Sequence, residues 1–240
     1  MVVKNIIFDL ILAGILGGIL HMDRTCAFQL LISRPIVVSS IIGAALGDFT
    51  IGLKSGMILE ILWLGIQPLG TSIPPDDTLI AVAVPAGVII SGQILGISEW
   101  ISENAIIALG VLIAIPLSWA GRIVDIRVRR SNSKLQKKAK FAANMGDIGM
   151  VERQNILGLI SFFSCFIFIS FFGVMFNTLL TCLFYPLLTQ KLIKALSLIY
   201  ILLPFFGAAA LLSSREGLLK FGAAYVVSYV VFFIVIGVYF

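Results

Sequence analysis

From Asp48 to Thr78 the sequence runs DFTIGLKSGMILEILWLGIQPLGTSIPPDDT. A carboxylate, Glu60, sits in the middle of an apolar run. The run then breaks at Pro68, Gly70, Pro74 and Pro75, and Asp76 and Asp77 follow at once. Each proline removes a backbone donor and turns the residue before it away from helical geometry. Residues 67–75 therefore cannot be regular helix throughout.

Whether this stretch is costly depends on its surroundings. The chain has 240 residues, 60% hydrophobic and 12% charged, with a mean hydropathy of +1.10. Soluble domains carry about 25% charged residues, so this composition reads as an integral membrane protein. The fold class expected is an all-α, multi-helix polytopic permease with broken or re-entrant segments. A helical span needs roughly 20 apolar residues, which leaves room for about seven to nine crossings. Apolar segments fall at 6–20, 36–47, 49–69, 79–97, 105–121, 156–176, 192–212 and 218–239. The first is interrupted by Asp9 and reads as a retained membrane segment rather than a cleaved signal. Tyr185-Pro186 marks a break.

Charge is concentrated in one place. Between Arg122 and Arg153 nine basic residues oppose three acidic ones, Asp125, Asp147 and Glu152, while the rest of the chain is nearly neutral. Flanked by apolar segments, this reads as a cytoplasmic basic loop obeying the positive-inside tendency, in which Ile126 to Phe141, mixing apolar and basic positions, is able to lie as a surface helix on anionic lipid. Nucleic acid is not indicated, because no aromatic-interleaved groove accompanies the charge. The domain reading is one membrane-embedded unit, 1–240, with a substrate-binding half at 1–121, the basic loop at 122–154 and an apolar helical half at 155–240.

Within a bilayer, an ionised side chain costs about 2.5–3.5 kcal/mol on insertion scales, so Glu60 needs a cavity, a cation or a proton. Lys54 and Glu60, six apart, fall on roughly opposite helix faces and are not local partners. Gly52-Leu-Lys-Ser-Gly56 has the small-xxx-small spacing of close helix contact. The broken stretch gathers Gln67, Thr71, Ser72, Asp76 and Asp77, donors and acceptors suited to a ligand with several hydroxyls. An ordinary extramembrane turn fits Pro-Pro-Asp-Asp-Thr as well, and a helix-packing carboxylate fits Glu60. Neighbouring Asp23 and Arg24 are expected to neutralise each other at an interface. His21, the only histidine, is expected to play a bland interfacial role. Cys26, Cys165 and Cys182 suit neither a zinc site nor a disulfide framework. No nucleotide-binding phosphate loop and no Ser/His/Asp or metal constellation is present, so no cofactor is expected and energy must come from a partner or an ion gradient.

Taken in order, Asp23-Arg24, Phe28-Gln29, Ser33-Arg34-Pro35-Ile36, Leu46-Gly47-Asp48, Gly52, Leu59-Glu60, Leu64-Gly65 and Pro75-Asp76 resemble the IIC component of the bacterial phosphoenolpyruvate-dependent sugar phosphotransferase system, mannose/fructose/sorbose family. The resemblance is dense over residues 12–96. It implies a multi-pass permease subunit of the cytoplasmic (inner) membrane. Its implied partners are a IID membrane subunit, in a trimer of heterodimers, and cytoplasmic IIA and IIB phosphocarriers. Those partners would carry the phosphoryl transfer, so this chain would not itself be an enzyme. It also implies that Glu60 and Asp76 hydrogen-bond a sugar, with Gln29 and Gln67 as weaker candidates. Pro68-Leu69-Gly70 departs from the mannose type, and Pro74-Pro75-Asp76-Asp77-Thr78 resembles the sorbose and amino-sugar branch. Two other readings stay open: an ion-coupled or facilitative transporter in which Glu60 titrates, and a non-transporting scaffold or sensor subunit.

Overall fold

The computed structural model describes residues 6–27, 29–66 and 73–213. The described residues form seven α-helices: α1 (Ile6–Thr25), α2 (Pro35–Leu46), α3 (Phe49–Trp63), α4 (Asp77–Leu95), α5 (Trp100–Asn144), α6 (Ile148–Phe184) and α7 (Gln190–Ser213). A 3₁₀ turn at Tyr185–Leu187 separates α6 from α7, where Tyr185-Pro186 predicts a break. Five helices, α1 and α4 to α7, are long and apolar enough to cross a membrane. The segment 218–239 lies outside the described residues.

The helices α2 and α3 are different. With 12 and 15 residues they reach roughly 18 and 22 Å, short of the about 30 Å hydrocarbon core. They form a hairpin through Gly47, whose φ of 85° closes α2, and Asp48, whose carboxylate caps α3 by accepting from Ile51 N at 2.9 Å. The two backbones touch closely. A Cβ on Gly52 would lie 2.5 Å from Ser39 O, and one on Gly56 would lie 2.9 Å from Ile36 Cα. The small-xxx-small spacing thus packs α3 onto α2.

Helix α4 is the axis of the bundle. Every residue from Thr78 to Ser91 is buried, surrounded by α1, α2, α3, α5 and α6. It contains Pro85, which cannot donate to the carbonyl of Ala81 four residues back. The hydroxyl of Ser39 on α2 donates to that oxygen at 2.9 Å. A freed backbone acceptor inside a membrane protein must find such a partner.

The basic segment at 122–154, in which a surface helix is expected from Ile126 to Phe141, is helical on both sides of Met145-Gly146-Asp147. Helix α5 runs 45 residues to Asn144, and after Met145-Gly146-Asp147 the chain returns as α6, capped by Asp147 accepting from Met150 N at 2.9 Å. Between Arg122 and Met145 there is no glycine or proline, and the stretch holds four arginines, four lysines and three alanines, all strong helix formers. Charge there moves the helix out of the apolar core without unwinding it. Likewise α1 does not stop at the polar residue His21 but continues to Thr25.

Candidate functional site

Four pieces of backbone carry the charged side chains of the candidate site: the last turn of α1, the connection 26–34, the second half of α3 and the start of α4. Asp23 organises the connection. Its two carboxylate oxygens accept from Leu30 N at 2.6 Å and Ser33 N at 3.0 Å. Two non-glycine residues there, Gln29 and Leu31, take left-handed φ values of 54° and 64°, and the Asp23 carboxylate supplies the local bonds that hold such a turn. Ser33 O in turn accepts from Thr78 Oγ1 at 3.2 Å, tying the connection to the first turn of α4.

Next to Ser33 stands Arg34. Its Nε donates to Glu60 Oε1 at 2.9 Å, its Nη2 reaches the same oxygen, and Glu60 Oε2 accepts from Ile36 N at 3.3 Å. Glu60 therefore meets its charge requirement with a guanidinium from across the site. The pair is not sealed: the side chains keep 36% and 18% of their surface. Lys54 turns away, as its distance from Glu60 along the helix requires, and pairs with Glu103 of α5 at 2.6 Å.

Asp76 is buried completely. It caps α4 by accepting from Leu79 N at 3.0 Å, and its own N–H donates to Ser118 O of α5 at 2.8 Å. Arg24 Nη1 pairs with it at 2.8 Å, and His21 Nε2 lies 3.1 Å from both carboxylate oxygens. Arg24 also reaches Asp77 at 3.1 Å and the carbonyl of Pro75 at 3.3 Å.

Two expectations need correcting. Asp23 and Arg24 do not neutralise each other: one anchors the 26–34 connection, the other pairs with the two aspartates of α4. Nor is His21 interfacial. It is fully buried, stacked on Phe166 with ring centroids 4.2 Å apart, and bonded to Asp76, because the start of α4 docks onto its helix face.

Of the residues singled out from the sequence, Glu60, Asp76 and Asp77 are brought to this region. Gln29 is exposed on the connection. Gln67, Thr71 and Ser72 lie outside the described residues, in the segment that bridges α3 and Pro74. The sequence reading did not assign His21, Arg24 and Arg34 to the site. A charge balance would have found them: Glu60 stands inside an apolar run and Asp76 and Asp77 just before another, and all three call for cations, which the first half of the chain supplies sparingly.

Among the described residues no group of three or more His, Cys, Asp or Glu side chains is placed to hold a metal ion. The three cysteines are free thiols.

The model of one protein family, described as the sorbose-specific IIC component of the PTS system, matches residues 7–238. The chain belongs to that family. Curated relatives include the mannose-specific EIIC component of Escherichia coli strain K12, 30% identical over 119 residues, covering 50% of this chain and 40% of that protein. The fructose permease IIC component of Bacillus subtilis strain 168 is 29% identical over 158 residues, covering 65% and 52%. The sorbose-specific EIIC component of Klebsiella pneumoniae is 30% identical over 126 residues, covering 52% and 43%. The matched stretches thus span about half or less of these relatives' own length. Among solved structures, a membrane protein aligns over 94% of this IIC chain and 85% of its own with a TM-score of 0.66 at 21% identity. The mannose transporter ManYZ in complex with microcin E492 aligns over 97% and 90%, with a TM-score of 0.55 at 22% identity. These two likenesses are of fold. With five span-length helices among the described residues and this family, the chain is a multi-pass protein of the inner membrane.

Proposed function

We propose that this chain is the IIC permease subunit of a phosphoenolpyruvate-dependent sugar phosphotransferase system, binding a sugar and passing it inward. The observation that carries this reading is the Arg34–Glu60 pair: a charged pair held in a broken part of a membrane bundle, with part of its surface open. A carboxylate and a guanidinium side by side offer acceptors and donors to adjacent hydroxyls. Glu60 is the first acceptor in this reading, with Gln67, Thr71, Ser72 and Gln29 as candidates beside it. Asp76 and Asp77 complete the predicted set; Asp76, being sealed by His21 and Arg24, contributes by fixing the start of α4 unless those partners release it.

In the same reading residues 1–121 form the substrate-binding half of one membrane-embedded domain, and 155–240 the apolar half. A IID subunit, in a trimer of heterodimers, and cytoplasmic IIA and IIB carriers complete the system, with the basic hairpin at 122–154 on their side of the membrane. Phosphoryl transfer belongs to those partners.

Sugar binding tests the assignment. The chain, purified with its partner subunits, is titrated with hexoses, amino sugars and ketoses, and the best ligand is then offered to a Glu60→Gln variant. Affinity should fall at least tenfold; unchanged affinity would remove Glu60 from the site.

A further inference from the structure

Where α5 and α6 run together through the basic part of the chain they leave a cavity of about 430 Å³, within the roughly 300–1,000 Å³ of small-molecule sites. Asn132, Gln136, Gln154 and Asn155 line it, with Cys26 from the end of α1. Asn132 and Gln136 stand one turn apart on α5, and Gln154 and Asn155 share a turn of α6, so each helix turns one polar face to the gap. Leu135 and Leu159 supply apolar wall. Neither Arg34 nor Glu60 lines this cavity, so it is separate from the site described above.

The lining is neutral in a segment that is not. Of the nine basic and three acidic residues between Arg122 and Arg153, none lines the cavity. A phosphate or carboxylate ligand calls for the opposite. Carboxamides offer donors and acceptors together, as hydroxyls do. Gln154 is the decisive residue. It keeps 8% of its surface, and its carboxamide has no hydrogen-bond partner among the described residues. Asn132 is anchored: its Nδ2 donates to Gly158 O at 3.1 Å, which leaves its Oδ1 buried without a partner. Buried carboxamide groups that bond nothing in the protein are costly unless something else bonds them.

We propose that this cavity is a second site for a neutral sugar, at the basic end of the bundle. Gln154 and Asn132 bond its hydroxyls, and Leu135 and Leu159 cover its less polar face. In the permease reading, on which this rests, the site holds the sugar on the side where the phosphocarriers act.

Cys26, a half-buried free thiol on the cavity wall, reports on occupancy. The chain, purified with its partner subunits, is treated with iodoacetamide in the presence and absence of mannose, fructose, sorbose or N-acetylgalactosamine, and modification of Cys26 is followed by mass spectrometry. At least one sugar is expected to slow it, and the protection should persist in Glu60→Gln. Gln154→Leu, which removes the amide at similar volume, should raise the sugar concentration needed for protection by roughly tenfold, as for a hydrogen bond lost in a desolvated place. A Cys26 that is unreactive without sugar means that the cavity is closed or filled by a partner, and overturns the proposal. So does protection that disappears in Glu60→Gln, or that Gln154→Leu leaves unchanged. A sugar that binds with Glu60-dependent affinity yet leaves Cys26 open overturns this site alone; failure of all four sugars to bind overturns the permease reading with it. The Glu60→Gln result stands by itself if Gln154→Leu does not fold.

Discussion

Gly121 of α5 lies directly against Asp76: a Cβ added there would come within 2.6 Å of Asp76 Cβ and 2.8 Å of its Oδ2. The completely buried carboxylate at the start of α4 thus depends on a missing side chain on α5. Gly121→Ala gains helix propensity but must displace Asp76 from His21, Arg24 and Leu79 N. We expect a net loss of about 1–3 kcal/mol, the usual cost of overpacking. Thermal unfolding in a membrane mimetic reads it directly, and a more stable variant would mean that Asp76 has room to move.

Arg34 and Glu60 supply a second test, independent of any ligand. Removing either partner leaves the other half-buried and alone, whereas removing both does not. Arg34→Gln and Glu60→Gln should each destabilise, and the double variant should cost less than the sum. The coupling is expected near the low end of roughly 0.5–3 kcal/mol, because Arg34 keeps 36% of its side-chain surface and exposed charges are screened. Strictly additive losses would show that the pair contributes nothing.

The proline in α4 gives a rescue experiment. Ser39→Ala leaves the carbonyl of Ala81 with neither a helical donor nor the hydroxyl that serves it now. Leaving a buried acceptor unsatisfied costs about 1–3 kcal/mol. Adding Pro85→Ala restores an N–H four residues on, so Ser39→Ala should cost little in that background. Equal losses in both backgrounds, read from denaturation midpoints, would rule out this account of Pro85.

For Asp23 the readout is local. Asp23→Ala deletes the acceptor of both Leu30 N and Ser33 N, and the left-handed residues Gln29 and Leu31 lose what holds them. Limited proteolysis or hydrogen exchange over 26–34 should accelerate at least tenfold, as expected for losing about 1.4 kcal/mol or more of local protection. Exchange in α6 should hardly change.

Much of the fold can be read in the sequence because membrane physics writes it locally. Apolar length predicts the spans, Gly47-Asp48 the α2–α3 turn, and Tyr185-Pro186 the break before α7. Glu60 and Asp76 stand out for the same reason, since a carboxylate among apolar residues needs an explanation. Their partners do not stand out. Arg34 is 26 residues from Glu60, and His21 is 55 from Asp76, separations that follow from how helices dock rather than from any spacing rule. The basic segment is legible on two counts: its charge predicts exposure, and its uninterrupted run of helix formers predicts that it stays helical while exposed.

That uninterrupted run has a mechanical consequence. Past Pro116, α5 continues to Asn144 as one rod, about 42 Å at 1.5 Å per residue. Proline is where such a rod bends, and Ser118, which receives the backbone of Asp76, stands two residues beyond it. The place where the rod can bend thus lies beside the α4 cap, and a tilt of about 5° there would carry the Asn144 end through roughly 4 Å.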